Sequence, residues 1–154
     1  MGLRVANRPI INEDGYTTAT IVGCKFGKGV ETIKKSRDDI DTREYERFEL
    51  TVEMDGTSGP ISTTIFTGTS LNGVIDEVGR GKAKKSVYNR LTSIALGLNL
   101  VSVNELSGKI SQEICERVEE SFLSIQGLRV QFKLGKIEGR SLAVPIPDTI
   151  KLIA

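Results

Sequence analysis

The stretch Arg47-Phe48-Glu49-Leu50-Thr51-Val52-Glu53-Met54 decides the fold. Phe48, Leu50, Val52 and Met54 share one parity, and Arg47, Glu49, Thr51 and Glu53 share the other. Successive side chains of a strand point to opposite faces, so this alternation predicts a strand buried on one side only. Asp55-Gly56 follows, with Ser58-Gly59-Pro60 behind it, residue types that suit the backbone angles of a hairpin turn. Ile61 to Thr67, rich in Thr and Ile, is the return strand.

Upstream, residues 1–15 carry charge, Pro9 and the cluster Asn12-Glu13-Asp14-Gly15, which predicts an N-terminal arm ending in a turn. Tyr16 to Phe26 is small, β-branched or apolar and predicts a first strand. Residues 27–44 read as a long charged connection, into which Val30 and Ile33 leave room for that strand to continue. Downstream the period changes. Leu71, Val74, Ile75 and Val78 give one short helix ended by Gly79 and Gly81, and Val87, Leu91, Ile94 and Leu98 give a second stripe. Ser102 and Glu105 have the spacing of a capping box. Ile110, Ile114, Val118, Phe122 and Ile125 form a third stripe opposite Glu113, Glu116, Arg117, Glu119 and Glu120, with Gly127 as its stop. Alternation then returns: Leu128, Val130, Phe132 and Leu134 inward, Arg129, Gln131 and Lys133 outward. Glu138-Gly139 marks a second hairpin turn. Leu142, Val144 and Ile146 begin a fifth strand, which Pro145 and Pro147 assign to an edge. Ile150, Leu152 and Ile153 leave room for a last short strand.

Three strands, a helical insert at residues 70–126 and two further strands are the element order of an OB-fold. The expected architecture is mainly β, a single OB-like domain over residues 1–154: a five-stranded antiparallel barrel with an enlarged helical segment between its third and fourth strands. A generic α+β sandwich has the same strand count.

Composition removes several function classes. The chain has 154 residues, no histidine and no tryptophan, with 21 Lys plus Arg against 20 Asp plus Glu. Without histidine there is no Ser-His-Asp or Cys-His catalysis and no His-ligated metal. Cys24 and Cys115 stand far apart, and the absence of CxxC excludes a zinc knuckle. They read as two buried thiols in a reducing compartment, with a disulfide or a redox pair as the alternative. Gly79-Arg80-Gly81-Lys82 lacks the spacing of a phosphate-cradling loop, which rejects a nucleoside triphosphatase. Asp38, Asp39 and Asp41 lie in one segment beside cations and read as a solvated loop rather than a metal site. No secretory or membrane-spanning segment is evident; the apolar stretch from Ile94 to Val103 is far too short to span a bilayer. The expectation is a soluble, cytoplasmic protein with no enzymatic role, no cofactor and no metal.

The layout resembles OB-fold single-stranded DNA-binding proteins of the phage and plasmid type. Gly15-Tyr16 opens the first strand, a charged connection leads into Tyr45-x-x-Phe48, and a Gly turn precedes the Thr-rich third strand. Leu96-Gly97-Leu98 is followed by Glu105-Leu106-Ser107-Gly108, and a Gly starts the fourth strand. The resemblance implies sequence-tolerant binding of single-stranded DNA in replication, recombination or repair, in a bacterial or phage-infected host cell.

The residues themselves offer cations and rings for that chemistry. Lys25, Lys28, Lys34, Lys35 and Arg37 form a basic run broken only by Glu31, in the loop that flanks the ligand groove of an OB barrel. The next stretch, residues 38–46, carries five acids against Arg43, so the same charges also fit a balanced, solvated loop. Arg80, Lys82, Lys84, Lys85 and Arg90 surround Tyr88 with no acid among them, a phosphate-tracking run or a soluble linker. Of the three Tyr and five Phe, Phe48, Phe122 and Phe132 sit on apolar stripes. Phe26, Tyr45, Phe66 and Tyr88 are the stacking candidates. Arg47 and the outward row of Arg129 and Lys133 complete the candidate interface, while Glu49 and Glu53 oppose phosphate. The expected partner is single-stranded DNA or RNA, bound by a homo-oligomer, since exposed edge strands favour self-association. The competing reading is an assembly or adaptor protein, such as a phage structural component, that uses the barrel for protein contacts.

Overall fold

The structure, a computed structural model, describes residues 2–3, 6–34, 40–71, 90–106, 110–136 and 143–153. It is mainly β, an open antiparallel sheet with a few helices. Strands β1 (Tyr16–Lys34), β2 (Ile40–Met54) and β3 (Ile61–Thr67) come first, then helices α1 (Arg90–Gly97), α2 (Val103–Leu106) and α3 (Gln112–Phe122). Strands β4 (Arg129–Lys136) and β5 (Ala143–Pro145), a 3₁₀ turn (Pro147–Thr149) and β6 (Lys151–Leu152) follow. The sheet order is β3-β2-β1-β4-β5, with β6 also pairing β4. Its ends, β3 and β5, approach each other without hydrogen-bonded pairing.

The β2–β3 hairpin has the expected register, with Met54 opposite Ile61 and Phe48 opposite Thr67. Phe48, Leu50, Val52 and Met54 are buried. The N-terminal arm ends in its predicted turn: Asn12 Oδ1 accepts from the backbone of Asp14 and Tyr16, and Gly15 adopts φ 86°. That arm crosses the β2–β3 turn through a bridge between Pro9 and Gly56.

On β1, Thr17, Ala19 and Ile21 face the core. The register then slips: Ile21 lies opposite Val52, but Gly23 lies opposite Thr51, so Val22 is an extra residue. A one-residue bulge reverses which parity faces inward. Without it Lys25 would face the core; with it Phe26 does, packing its ring 4.9 Å from Phe48 and 6.1 Å from Phe122. Phe48 and Phe122 are 4.6 Å apart, so β1, β2 and α3 meet in one aromatic cluster.

Residues 27–34 and 40–44, expected as part of a charged connection, are strand, and residues 35–39 lie outside the described residues. β1 and β2 remain paired from Phe26 opposite Phe48 as far as Lys34 opposite Ile40. β3 ends at Thr67, so the part beyond Gly27 and Arg47 is a two-stranded ribbon, roughly 24 Å long at the usual rise per residue. Period-two hydrophobicity marks a strand only where one face is buried, and most described side chains of the ribbon are exposed; Val30 is 66% exposed. In the register Lys28 stands opposite Glu46, and Glu31 opposite Arg43. The described parts of the basic and acidic halves are therefore the two strands of one ribbon.

The helices cover the sheet's inner side. α1 buries Leu91, Thr92, Ile94 and Ala95. Its last residue, Gly97, lies where the Ile150 carbonyl oxygen leaves no room for a Cβ. The capping box before α2 forms, with the Ser102 backbone N–H donating to Glu105 Oε1 and Glu105 N–H donating to Ser102 Oγ. Ser111 Oγ accepts from Ile114 N–H at the start of α3, which buries Val118 and Phe122. Each such side chain contributes about 1.5–3 kcal/mol. α3 stops at Phe122 rather than at Gly127; Gly127, at φ 91°, makes the turn into β4. The helix expected at Leu71–Val78 and the Val87 end of the second stripe lie outside the described residues, Leu71 excepted. β5 is only three residues long, and Pro145 lies opposite Leu134 at its edge of the sheet.

Candidate nucleic-acid interface

The outer face of the β1–β2–β3 sheet gathers four of the sequence candidates. Tyr45, Arg47 and Glu49 share the outward parity of β2; Lys25 and Phe66 lie on either side of Glu49 in the register. Phe66 is 49% exposed and Tyr45 38%. The Tyr45 ring lies over Gly29 on the opposite strand, in the space a side chain there would fill. The Arg47 guanidinium stands 5.2 Å from the Phe66 ring centroid, within cation–π range. About 13 Å of strand separates Tyr45 from Glu49, the partner of Phe66, with Arg47 midway.

Glu49 qualifies the charge of this patch. Its Oε1 lies 2.6 Å from Arg47 and its Oε2 3.3 Å from Lys25, and the residue is 9% exposed. Both cations are thus partly neutralised, and what the patch exposes is two rings beside a guanidinium already paired with Glu49.

The remaining candidates are dispersed. Phe26 belongs to the core cluster with Phe48 and Phe122, and its alternation with exposed residues follows from the bulge rather than from a ligand face. Lys28 is exposed on the opposite side of the ribbon from Tyr45. There an open groove of about 630 Å³ runs between the ribbon's base and α3, lined by Phe26, Glu46, Leu91, Cys115 and Phe122 among others. Lys34 closes β1, and Arg90 opens α1 as an exposed residue. Lys35, Arg37, Arg80, Lys82, Lys84, Lys85 and Tyr88 lie outside the described residues.

Arg129 is engaged within the fold. Its Nη1 and Nη2 donate to Asp55 Oδ1 and Oδ2 at 3.1 and 2.7 Å, and Nη1 also donates to Thr20 Oγ1 at 2.8 Å. Thr18 Oγ1 donates to Asp55 Oδ2 at 2.6 Å. These hydrogen bonds, Arg129's first, hold the Asp55 carboxyl down at about 2. Asp55 reads in the sequence as a turn residue and proves to be the anchor that joins the β2–β3 turn to β4.

Lys133 lies opposite Tyr16, and its Nζ is 5.2 Å from that ring centroid. Lys151, absent from the sequence candidates, places its Nζ 5.6 Å from the same ring. Nothing in the sequence pairs Lys151 with Tyr16, because the contact depends on β6 adding to the far edge of β4.

Cys24 and Cys115 are free and half-buried. The Cys24 thiol donates to the Phe122 carbonyl at 3.0 Å, and burial pushes its pKa up. Among the described residues no group of His, Cys, Asp and Glu is placed to hold a metal, and no helix is long and apolar enough to cross a membrane. Comparison with models of known families found no match, and no curated protein and no solved structure is significantly similar to the chain.

Proposed function

We propose that this chain is a non-catalytic binding protein for single-stranded nucleic acid, DNA before RNA, acting through an OB-like barrel in replication, recombination or repair. The observation that carries the reading is the exposed pair Tyr45 and Phe66 with Arg47 between them on the outer face of β2 and β3. Sequence-tolerant binders stack bases on such rings, and OB barrels take oligonucleotides on the face of their second and third strands. The strand order supports the OB part of the reading, since pairing of its ends, β3 with β5, would close a barrel. The ribbon takes the position of the loop that flanks the ligand groove in that fold.

Fluorescence anisotropy with a labelled oligo-dT of about 30 nucleotides, longer than the ~4–16 nucleotides an OB domain covers, tests the reading. Binding that exceeds binding to duplex of equal length and weakens as salt rises supports it. No binding at low salt overturns it. The ribbon also favours a second reading, an assembly or adaptor role. Among the described residues no third strand joins it beyond Gly27 and Arg47, and it exposes Val30. Self-association that is indifferent to oligonucleotide, read by sedimentation, would favour that role.

A further inference from the structure

Tyr16, Lys133 and Lys151 form a second cluster on the outward side of the sheet, at the other end of β1 from Phe66. Tyr16 pairs with Lys133 across β1 and β4, while Lys151 pairs with Gln131 across β4 and β6. Two ammonium groups from different strands thus converge on one tyrosine ring, at 5.2 and 5.6 Å from its centroid. Both lysines are exposed, the ring is half-buried, and neither lysine forms an ion pair with any described residue. The nearest cation along β4's outward row, Arg129, is already bound to Asp55.

Like charges gathered this way repel, and the ring quadrupole returns only about 0.5–1 kcal/mol to each at an exposed site. An anion between them removes the repulsion and gains charge-assisted hydrogen bonds. Two ammonium groups with no counter-charge among the described residues call for an anionic ligand. Among the described residues no carboxylate fills the role, and Asp55, the acid on the neighbouring stretch of the sheet, is held by Arg129 and Thr18.

We infer that Lys133 and Lys151, placed by Tyr16, hold a backbone phosphate of the bound single strand at a second contact remote from the Tyr45–Phe66 platform. This rests on the function proposed above and divides the labour: rings take bases at one end of β1, lysines take phosphate at the other.

The test is the salt dependence of oligo-dT binding, measured on the unaltered protein and on K133Q/K151Q, with circular dichroism confirming that the variant is folded. The expected result is a slope of log K against log salt that is shallower by about 0.7–1.4, the release of one or two counterions from a single strand. K133R/K151R, which keeps both charges, is expected to restore the slope. An unchanged slope and affinity in K133Q/K151Q overturns this second contact and leaves the platform standing. Failure of the unaltered protein to bind at all overturns the functional reading, and this contact with it.

Discussion

Two clusters on the outward side of this sheet hold a cation 5.2 Å from an aromatic ring, and they differ in what balances the charge. Arg47 over Phe66 is paired with Glu49, which also holds Lys25. Lys133 and Lys151 over Tyr16 pair with no carboxylate among the described residues. The first cluster has exposed rings and a charge largely answered by Glu49, and the second has a half-buried ring and two ammonium groups that no described carboxylate answers. A count of basic residues cannot separate them, because the ring that each cation meets comes from a different strand.

The comparison breaks most severely if the platform has no firm base. Phe48 closes the last β2–β3 pair and touches Phe26 and Phe122. Phe48→Ala is expected to cost about 3–5 kcal/mol in denaturant unfolding. A loss below about 1 kcal/mol would mean that the aromatic cluster does not anchor the ribbon. Next in size is Phe66→Leu, which keeps an apolar side chain and removes the ring. Oligo-dT affinity is expected to fall by about 1–3 kcal/mol, the worth of one stacked base, with stability unchanged. Equal affinity would place the strand elsewhere.

Asp55 tests the border between the clusters. Its carboxyl is held down at about 2 when folded, below its ordinary value of 3.8. A depressed carboxylate stabilises the fold above its unfolded pKa, and the contribution is lost as pH falls through the folded value. Stability is therefore expected to drop between about pH 4 and pH 2. Asp55 is 42% exposed and Arg129 44%, so screening limits the pair to about 1 kcal/mol or less. Asp55→Asn should remove that acid-dependent step and release Arg129 to join Lys133, steepening the salt dependence of binding by about 0.7. An unchanged acid profile would show that the pair is not formed in solution.

The smallest effect sharpens the comparison most. Glu49→Gln frees Lys25 and Arg47 and makes the Phe66 cluster resemble the Tyr16 cluster. Stability should move by less than about 1 kcal/mol, since Lys25 is 71% exposed. Oligo-dT binding at low salt should tighten a few-fold, with a steeper salt slope. Weaker binding would mean that Glu49 positions Arg47 for the ligand rather than competing with it.

What was legible in the sequence follows the same division between buried and exposed. Phe48 to Met54 and Val130 to Leu134 alternate because a core takes one side, and both strands lie where the alternation put them. Ser102 and Glu105 announce a helix start through local hydrogen bonds that need no tertiary context. The ribbon escaped because its described side chains are mostly exposed, Val30 among them, so no alternation of apolar and polar residues marks it, and its strand character shows in the pairing of β1 with β2. Phe26 was ambiguous because a single inserted residue, Val22, decides its parity. Tyr45, Arg47 and Phe66 were each visible as candidates, yet their meeting depends on β3 pairing β2 in one register. The Arg129–Asp55 anchor and the Lys151–Tyr16 contact join strands that are distant in sequence, and no local pattern encodes them.

The most direct measurement is oligo-dT affinity of Tyr45→Ala/Phe66→Ala across a salt series, beside the unaltered protein. Stacking releases no counterions, so the account predicts a loss of about 2–6 kcal/mol for the two rings with an unchanged slope of log K against log salt. Unaltered affinity, or a loss that disappears as salt rises, would contradict the claim that these two rings carry the strand.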